Sequence, residues 1–122
     1  MIRPAIRPIA DQTDVALVLG RGGHAAVVVD ALHAVGAVVL GALDDDPDPR
    51  AATPPDVTRL GRLDDLDAVL DAHPEITLVH AAVGDPHTRE RWLARIDDAR
   101  LRPIVHPSAV VSPSATLGAA CF

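Results

Sequence analysis

One short stretch constrains this chain more than any other. Val15 to Leu19 is a run of five apolar residues, and it ends abruptly in Gly20-Arg21-Gly22-Gly23-His24. An Ala- and Val-rich segment, residues 25–35, follows and closes at Gly36. A short apolar run, a glycine turn and a longer apolar segment read as strand, tight turn and buried helix, with Gly36 as a C-cap. A second apolar run, residues 37–43, is of strand length and ends in Asp44-Asp45-Asp46-Pro47. With one helix between two strands, a right-handed parallel crossover is the expected connection.

The alternation continues. Residues 47–59 carry Pro47, Pro49, Pro54 and Pro55 and read as a surface loop. Leu66, Val69 and Leu70 sit at helical spacing, so residues 64–72 read as a short helix. Ile76 to Val83 is a third apolar run that stops at Gly84-Asp85-Pro86. Residues 86–100 read as a helix with Trp92, Leu93 and Ile96 inward. Residues 102–105 read as a fourth short strand. Strand and helix taking turns over residues 15–104 predict an α/β fold: a small Rossmann-like domain with a mostly parallel sheet and helices on both faces.

Residues 105–122 break the pattern. They divide into three hexads, Val105–Val110, Val111–Thr116 and Leu117–Phe122. Each begins with an aliphatic residue and carries a small one, Ala109, Ala115 or Cys121, four places on. A period of six is the mark of hexapeptide β-helix repeats, and three hexads make one triangular coil. One coil cannot bury its own faces, so the reading is of a second domain at its beginning. Residues 1–14 are rich in Arg, Pro and Asp, lack an apolar stretch of signal-peptide type and read as a loose polar leader.

Charge and composition exclude several classes. The 122 residues carry 17 acidic and 11 basic side chains, a formal net charge of −6, which disfavours nucleic-acid backbones and anionic membranes. With one Trp, one Phe and no Tyr, there is no stacking platform for single strands. A single cysteine, Cys121, forbids an internal disulfide and fits a reducing cytoplasm. No apolar run approaches the length of a membrane helix.

The candidate binding residues gather at the strand ends. Gly20, Gly22 and Ala25 satisfy G-x-G-x-x-A after a strand and before a helix. Such a turn lets a phosphate approach free N–H groups at a helix N-terminus, although a tight turn with no ligand reads the same. His24 opens that helix, facing either a ligand or solvent. Asp44 and Asp45 close the second strand, where a carboxylate commonly grips a ribose hydroxyl, or merely begins a loop. Gly84 and Asp85 end the third strand, with Asp85 equally suited to cap the helix at Pro86. Arg89, one turn on, is placed to reach a diphosphate or to face solvent. His80, in a strand, is expected to be a core residue with satisfied nitrogens, and His87 lies near the crevice edge. No histidine or cysteine spacing suggests a metal, and no serine has a paired base.

Four of these motifs, in order, carry a resemblance. The turn Gly20–His24, the strand end Leu43-Asp44-Asp45, Ala82-Val83-Gly84-Asp85 with Arg89, and His106-Pro107-Ser108-Ala109 leading into the hexads resemble the N-terminal part of the sialic-acid O-acetyltransferase and bacillosamine N-acetyltransferase family. These are sugar acyltransferases with a left-handed β-helix. The resemblance runs from about Val15 to Phe122. It implies an N-terminal domain that binds a nucleotide-linked sugar, typically a UDP-amino sugar. It also implies a homotrimeric β-helix that binds acetyl-CoA between subunits and carries a histidine base. On that match Gly20, Gly22, Gly23 and His24 serve the phosphate and sugar, Asp44 and Asp45 the nucleoside, and Gly84, Asp85 and Arg89 the rim. No catalytic residue is expected within the chain, which by itself would bind without catalysing and be a monomer or weak oligomer. Two departures are Gly22, where the family often has Ser, and Ala25, where it often has Gly. Two other classes remain open: a nicotinamide- or CoA-binding Rossmann domain of an oxidoreductase, and a non-enzymatic regulatory domain.

Overall fold

The computed structural model describes residues 9–48 and 57–122. Its order is β1 (Val15–Leu19), α1 (Gly23–Ala34), β2 (Val38–Leu43), β3 (Arg59–Gly61), α2 (Leu66–Ala72), β4 (Leu78–Ala81) and α3 (Pro86–Leu93). Single 3-10 turns cover Leu63–Asp65 and Asp98–Arg100. The sheet is wholly parallel, in the order β3-β2-β1-β4.

Alternation along β1 divides the core in two. Ala16 and Val18 face α1 and pack with Val28, Val29 and Leu32, together with Leu78 and Ile104. Leu17 and Leu19 face the other way and pack with Leu66 and Val69 of α2, Val79, and Ile96 beyond α3. Both faces of the central strand are therefore covered, as a parallel sheet requires. Burial of each large aliphatic side chain contributes about 1.5–3 kcal/mol. The layered Rossmann-like arrangement predicted from the alternation is the one observed.

Three details of the strands and helices differ from the sequence reading. The three-residue strand β3 is not among the expected strands; it begins at Arg59, the last residue of the expected loop, most of which falls outside the described residues. Its neighbour Gly41 explains the pairing: a Cβ there would come within 2.6 Å of the Thr58 carbonyl, so glycine is what lets β2 meet this edge strand. The expected helix over 86–100 stops at Leu93. The chain turns there so that Ile96 can bury, with its N–H bonded to the Leu93 carbonyl, and Asp97 then opens a separate 3-10 turn. Residues 102–105 do not join the sheet. Instead, the Ala10 N–H donates to the Pro103 carbonyl and the Ile104 N–H to the Cys121 carbonyl.

The described part of the leader is not loose. Asp14 is buried, accepts a 2.8 Å hydrogen bond from Thr77 Oγ1 and lies 3.1 Å from Arg102 Nε. Over residues 105–122 there is no regular strand, but three turns recur. The N–H groups of Ala109, Ala115 and Cys121 donate to the carbonyls of His106, Ser112 and Gly118, a spacing of six each time. Ile104, Ala109, Leu117 and Cys121 face an apolar hollow between these turns.

Candidate functional site

The strand order puts the reversal point at β1. The chain winds outward from β1 through β2 to β3, and β4 then returns to the other side of β1. In sheets of this kind the loops after the strands on either side of such a point diverge and leave a crevice at the carboxyl edge. A cleft of about 490 Å³ lies there, lined by the turn Gly20–His24, by Asp44 and by residues 82–85.

Gly20 makes the turn possible. Its φ is +104°, and a Cβ would sit 2.8 Å from the Ala82 carbonyl, so both conformation and space demand glycine. Gly22, Gly23 and Gly84 are different. A Cβ on any of them would meet nothing within 4 Å, so the protein itself does not need the missing side chain. What their lack of a side chain preserves is open cleft.

Helix α1 then begins at this opening without a side-chain cap, with Gly22 at the N-cap position and no acidic residue in the first turn. The N-terminal N–H groups and the positive end of the helix dipole are thus left for an anion, in a place where most helices supply a side chain of their own. His24 lies in that first turn and lines the cleft, its ring 5.7 Å from that of Phe122 in an edge-to-face contact.

The two expected nucleoside carboxylates are separated by the structure. Asp44 lines the cleft, and its Oδ2 accepts the Arg21 N–H at 2.8 Å while Oδ1 accepts the Asp46 N–H. Asp45 points to the 3-10 turn, where Oδ1 accepts the Leu63 N–H at 3.0 Å and lies 3.8 Å from Arg62 Nε. Gly84 and Asp85 both line the cleft. Asp85 also caps α3, accepting from the Thr88 N–H and from Thr88 Oγ1, and these hydrogen bonds hold its carboxyl below the ordinary range. Arg89 is not among the lining residues. Its guanidinium donates to the Ala120 carbonyl and so ties α3 to the C-terminal turns. His87 is exposed and outside the lining too.

Two residues were missed or misjudged by sequence reasoning. Arg21 is only 4% exposed, although it sits in a surface turn. Its Nη2 donates to the carbonyls of Asp46 and Asp48 at 3.0 and 3.2 Å. The only hint in the sequence is a long cationic side chain inside a glycine turn. His80 is buried as expected, but among the described residues its Nε2 has no hydrogen-bond partner. Burial pushes its imidazole down to about 4, helped by the positive charge of Arg89 and by His24. Among the described residues no group of three His, Cys, Asp or Glu could hold a metal, and no helix is long and apolar enough to cross a membrane.

A parallel sheet with its glycine turn, uncapped helix and acidic strand ends at one edge defines a Rossmann-like nucleotide-binding class of domain. Residues 16–96 match the family described as the PglD N-terminal domain, and the chain belongs to that family. Solved structures agree. A single-residue variant of perosamine N-acetyltransferase from Caulobacter crescentus, in complex with CoA and GDP-perosamine, is 35% identical with a TM-score of 0.66. That match covers 81% of this chain and 46% of the other. PerB from the same organism, also in complex with CoA and GDP-perosamine, is 34% identical with a TM-score of 0.65, covering 81% and 45%. The chain thus spans slightly under half the length of these proteins. No curated protein matches it.

Proposed function

We propose that the chain is the nucleotide-sugar-binding part of an acetyl-CoA-dependent sugar N- or O-acetyltransferase. Its ligand on this reading is a nucleoside diphosphate linked to an amino sugar. The diphosphate lies on the N–H groups of Gly22, Gly23 and His24, the nucleoside extends toward Asp44, and the sugar leaves past Gly84 and Asp85. The observation that carries the reading is the cleft itself. Three glycines whose side-chain positions are empty surround an uncapped helix N-terminus, and nothing in the protein's own packing accounts for all three.

We read residues 105–122 as the first coil of a left-handed β-helix. The turns at six-residue spacing and the Ile104–Cys121 hydrogen bond, which closes a lap of three hexads, support this. Acetyl-CoA binding and the transfer step then belong to further coils of a homotrimeric parent enzyme. The 122 residues are expected to bind the nucleotide sugar and to sediment as a monomer or weak oligomer.

A thermal-shift titration with UDP, GDP, acetyl-CoA and NADH tests the reading. A ligand at 100 times its Kd stabilises the fold by about 2.7 kcal/mol, a rise on the order of 10 °C for a domain of this size. A rise with UDP or GDP and none with NADH is expected, and whichever nucleotide acts identifies the base. A rise with NADH alone would hand the site to an oxidoreductase. No rise with any of the four would leave an empty regulatory domain as the better account.

A further inference from the structure

The charge inventory of the cleft is unusual for a site meant to hold a diphosphate. Two carboxylates line it, Asp44 and Asp85. Arg89, the cation expected at the rim, is turned away to the Ala120 carbonyl. Among the described lining residues the one arginine or lysine is Arg21. The N-terminus of α1 adds the equivalent of roughly half a charge, which does not offset two carboxylates and a diphosphate together.

Arg21 is also held in an uncommon way. A buried guanidinium is ordinarily neutralised by a carboxylate, because an unpaired charge in a low-dielectric interior is costly. Here Nη2 rests on two neutral carbonyls, those of Asp46 and Asp48, and among the described residues no carboxylate forms an ion pair with it. Nε is buried and has no hydrogen-bond partner among the described residues. The backbone fixes the side chain from its other end, since the Arg21 N–H donates to Asp44 Oδ2. The result is an immobilised, unneutralised cation whose field is little screened by water.

We propose that Arg21 is the fixed cation with which this cleft selects the diphosphate of its ligand. The inference rests on the nucleotide-sugar reading above and goes beyond it by naming the source of charge recognition. Carbonyls hold the guanidinium in place without neutralising it, so its full charge remains for an incoming anion. The electrostatic cost carried by the empty protein is relieved when the diphosphate binds.

The test compares charged and uncharged ligands of one base. Affinities for UDP, GDP, uridine and guanosine are measured by NMR titration for the wild type, Arg21→Gln and Arg21→Lys, each checked for fold by circular dichroism. Arg21→Gln is expected to weaken the bound nucleoside diphosphate at least tenfold and to leave the matching nucleoside within twofold. Arg21→Lys, which keeps the charge without the fork, is expected to retain most of the preference for the diphosphate. Equal losses for nucleotide and nucleoside would overturn the proposal, because a residue that only braces the loop after β2 acts on both. Unchanged affinities would overturn it as well. Should Arg21→Gln not fold, a folded Arg21→Lys that loses the preference is the overturning result. A wild type that binds neither nucleotide at millimolar concentration removes the site reading itself, whereas normal wild-type binding with no selective loss removes Arg21 alone.

Discussion

Replacing Gly23 by Ala separates what the fold needs from what a ligand needs. Gly23 is the first residue of α1, does not have positive φ, and a Cβ built on it meets nothing within 4 Å. Alanine is preferred over glycine by up to about 1 kcal/mol inside a helix and also reduces the freedom of the unfolded chain. At a first-turn position part of that gain applies, about 0.5 kcal/mol, so the melting temperature should rise by about 2–4 °C. Binding should move the other way. The methyl group occupies the open cleft in front of the uncapped N–H groups, and a phosphate oxygen has to retreat from them. One hydrogen bond to a charged group contributes about 1.5–3 kcal/mol, so losing one weakens binding tenfold or more. Differential scanning fluorimetry gives the first number, and calorimetric titration with the nucleotide that stabilises the wild type gives the second. Binding within threefold of wild type would refute the idea that the empty glycine positions are ligand space. A loss of more than 1 kcal/mol in stability would refute the backbone argument.

Gly20→Ala should behave in the opposite sense, losing about 2–3 kcal/mol of stability through its φ of +104° and the 2.8 Å approach to the Ala82 carbonyl, and chemical denaturation measures this directly. His80 makes stability depend on pH. Its folded pKa of about 4 lies below the unfolded value, so the unfolded chain takes up the proton first, and stability is complete above about pH 6.5 and declines as the pH falls. Between pH 7.5 and 5 the decline attributable to His80 is about 2 kcal/mol, and His80→Leu, which removes both the titration and the unpaired Nε2, should flatten that slope in urea melts. Asp85→Ala should lower the melting temperature by removing the cap of α3, whereas Asp85→Asn keeps an acceptor for the Thr88 N–H and should lower it less.

What the sequence revealed and what it hid follow from the range of the interactions. Val15–Leu19, the Gly20–His24 turn and the helix closed by Gly36 are local: adjacent residues carry the apolar period and the breakers that end it. The same holds for α2 and for the start of α3 at Asp85-Pro86. The length of α3 was hidden because Ile96 leaves the helix to reach a core formed by Leu17, Leu66 and Val79, which no pattern within residues 86–100 announces. The strand β3 was hidden because three residues carry no period, and its pairing depends on Gly41, far back in the chain. In the site, glycine positions were legible because turn chemistry is local. The parting of Asp44 from Asp45 was not, since adjacent residues at a strand end point to opposite sides and only the position of Leu63 shows which one is taken up. Arg21 was hidden for a similar reason: its partners lie 25 and 27 residues later.

The positions where local rules fail also lie together. Helix α1 starts on glycine where a capping side chain would stabilise it, its neighbour Gly20 holds a φ closed to other residues, and Arg21 buries a charge without a described carboxylate. Each feature costs stability, and in a marginally stable domain such costs persist where something offsets them. Elsewhere α3 is capped, Asp14 is buried and hydrogen-bonded, and two core layers are filled, while the buried His80 Nε2 on β4 is a separate exception. These three exceptions at α1, Gly20 and Arg21 occur in one turn of five residues at the carboxyl edge of β1. A bound anion answers all three at once: it caps the helix, fills the space beside the glycines and neutralises the arginine. An empty structural turn answers only the first glycine, so on the proposed reading a bound anion accounts for more of this turn than the fold alone does.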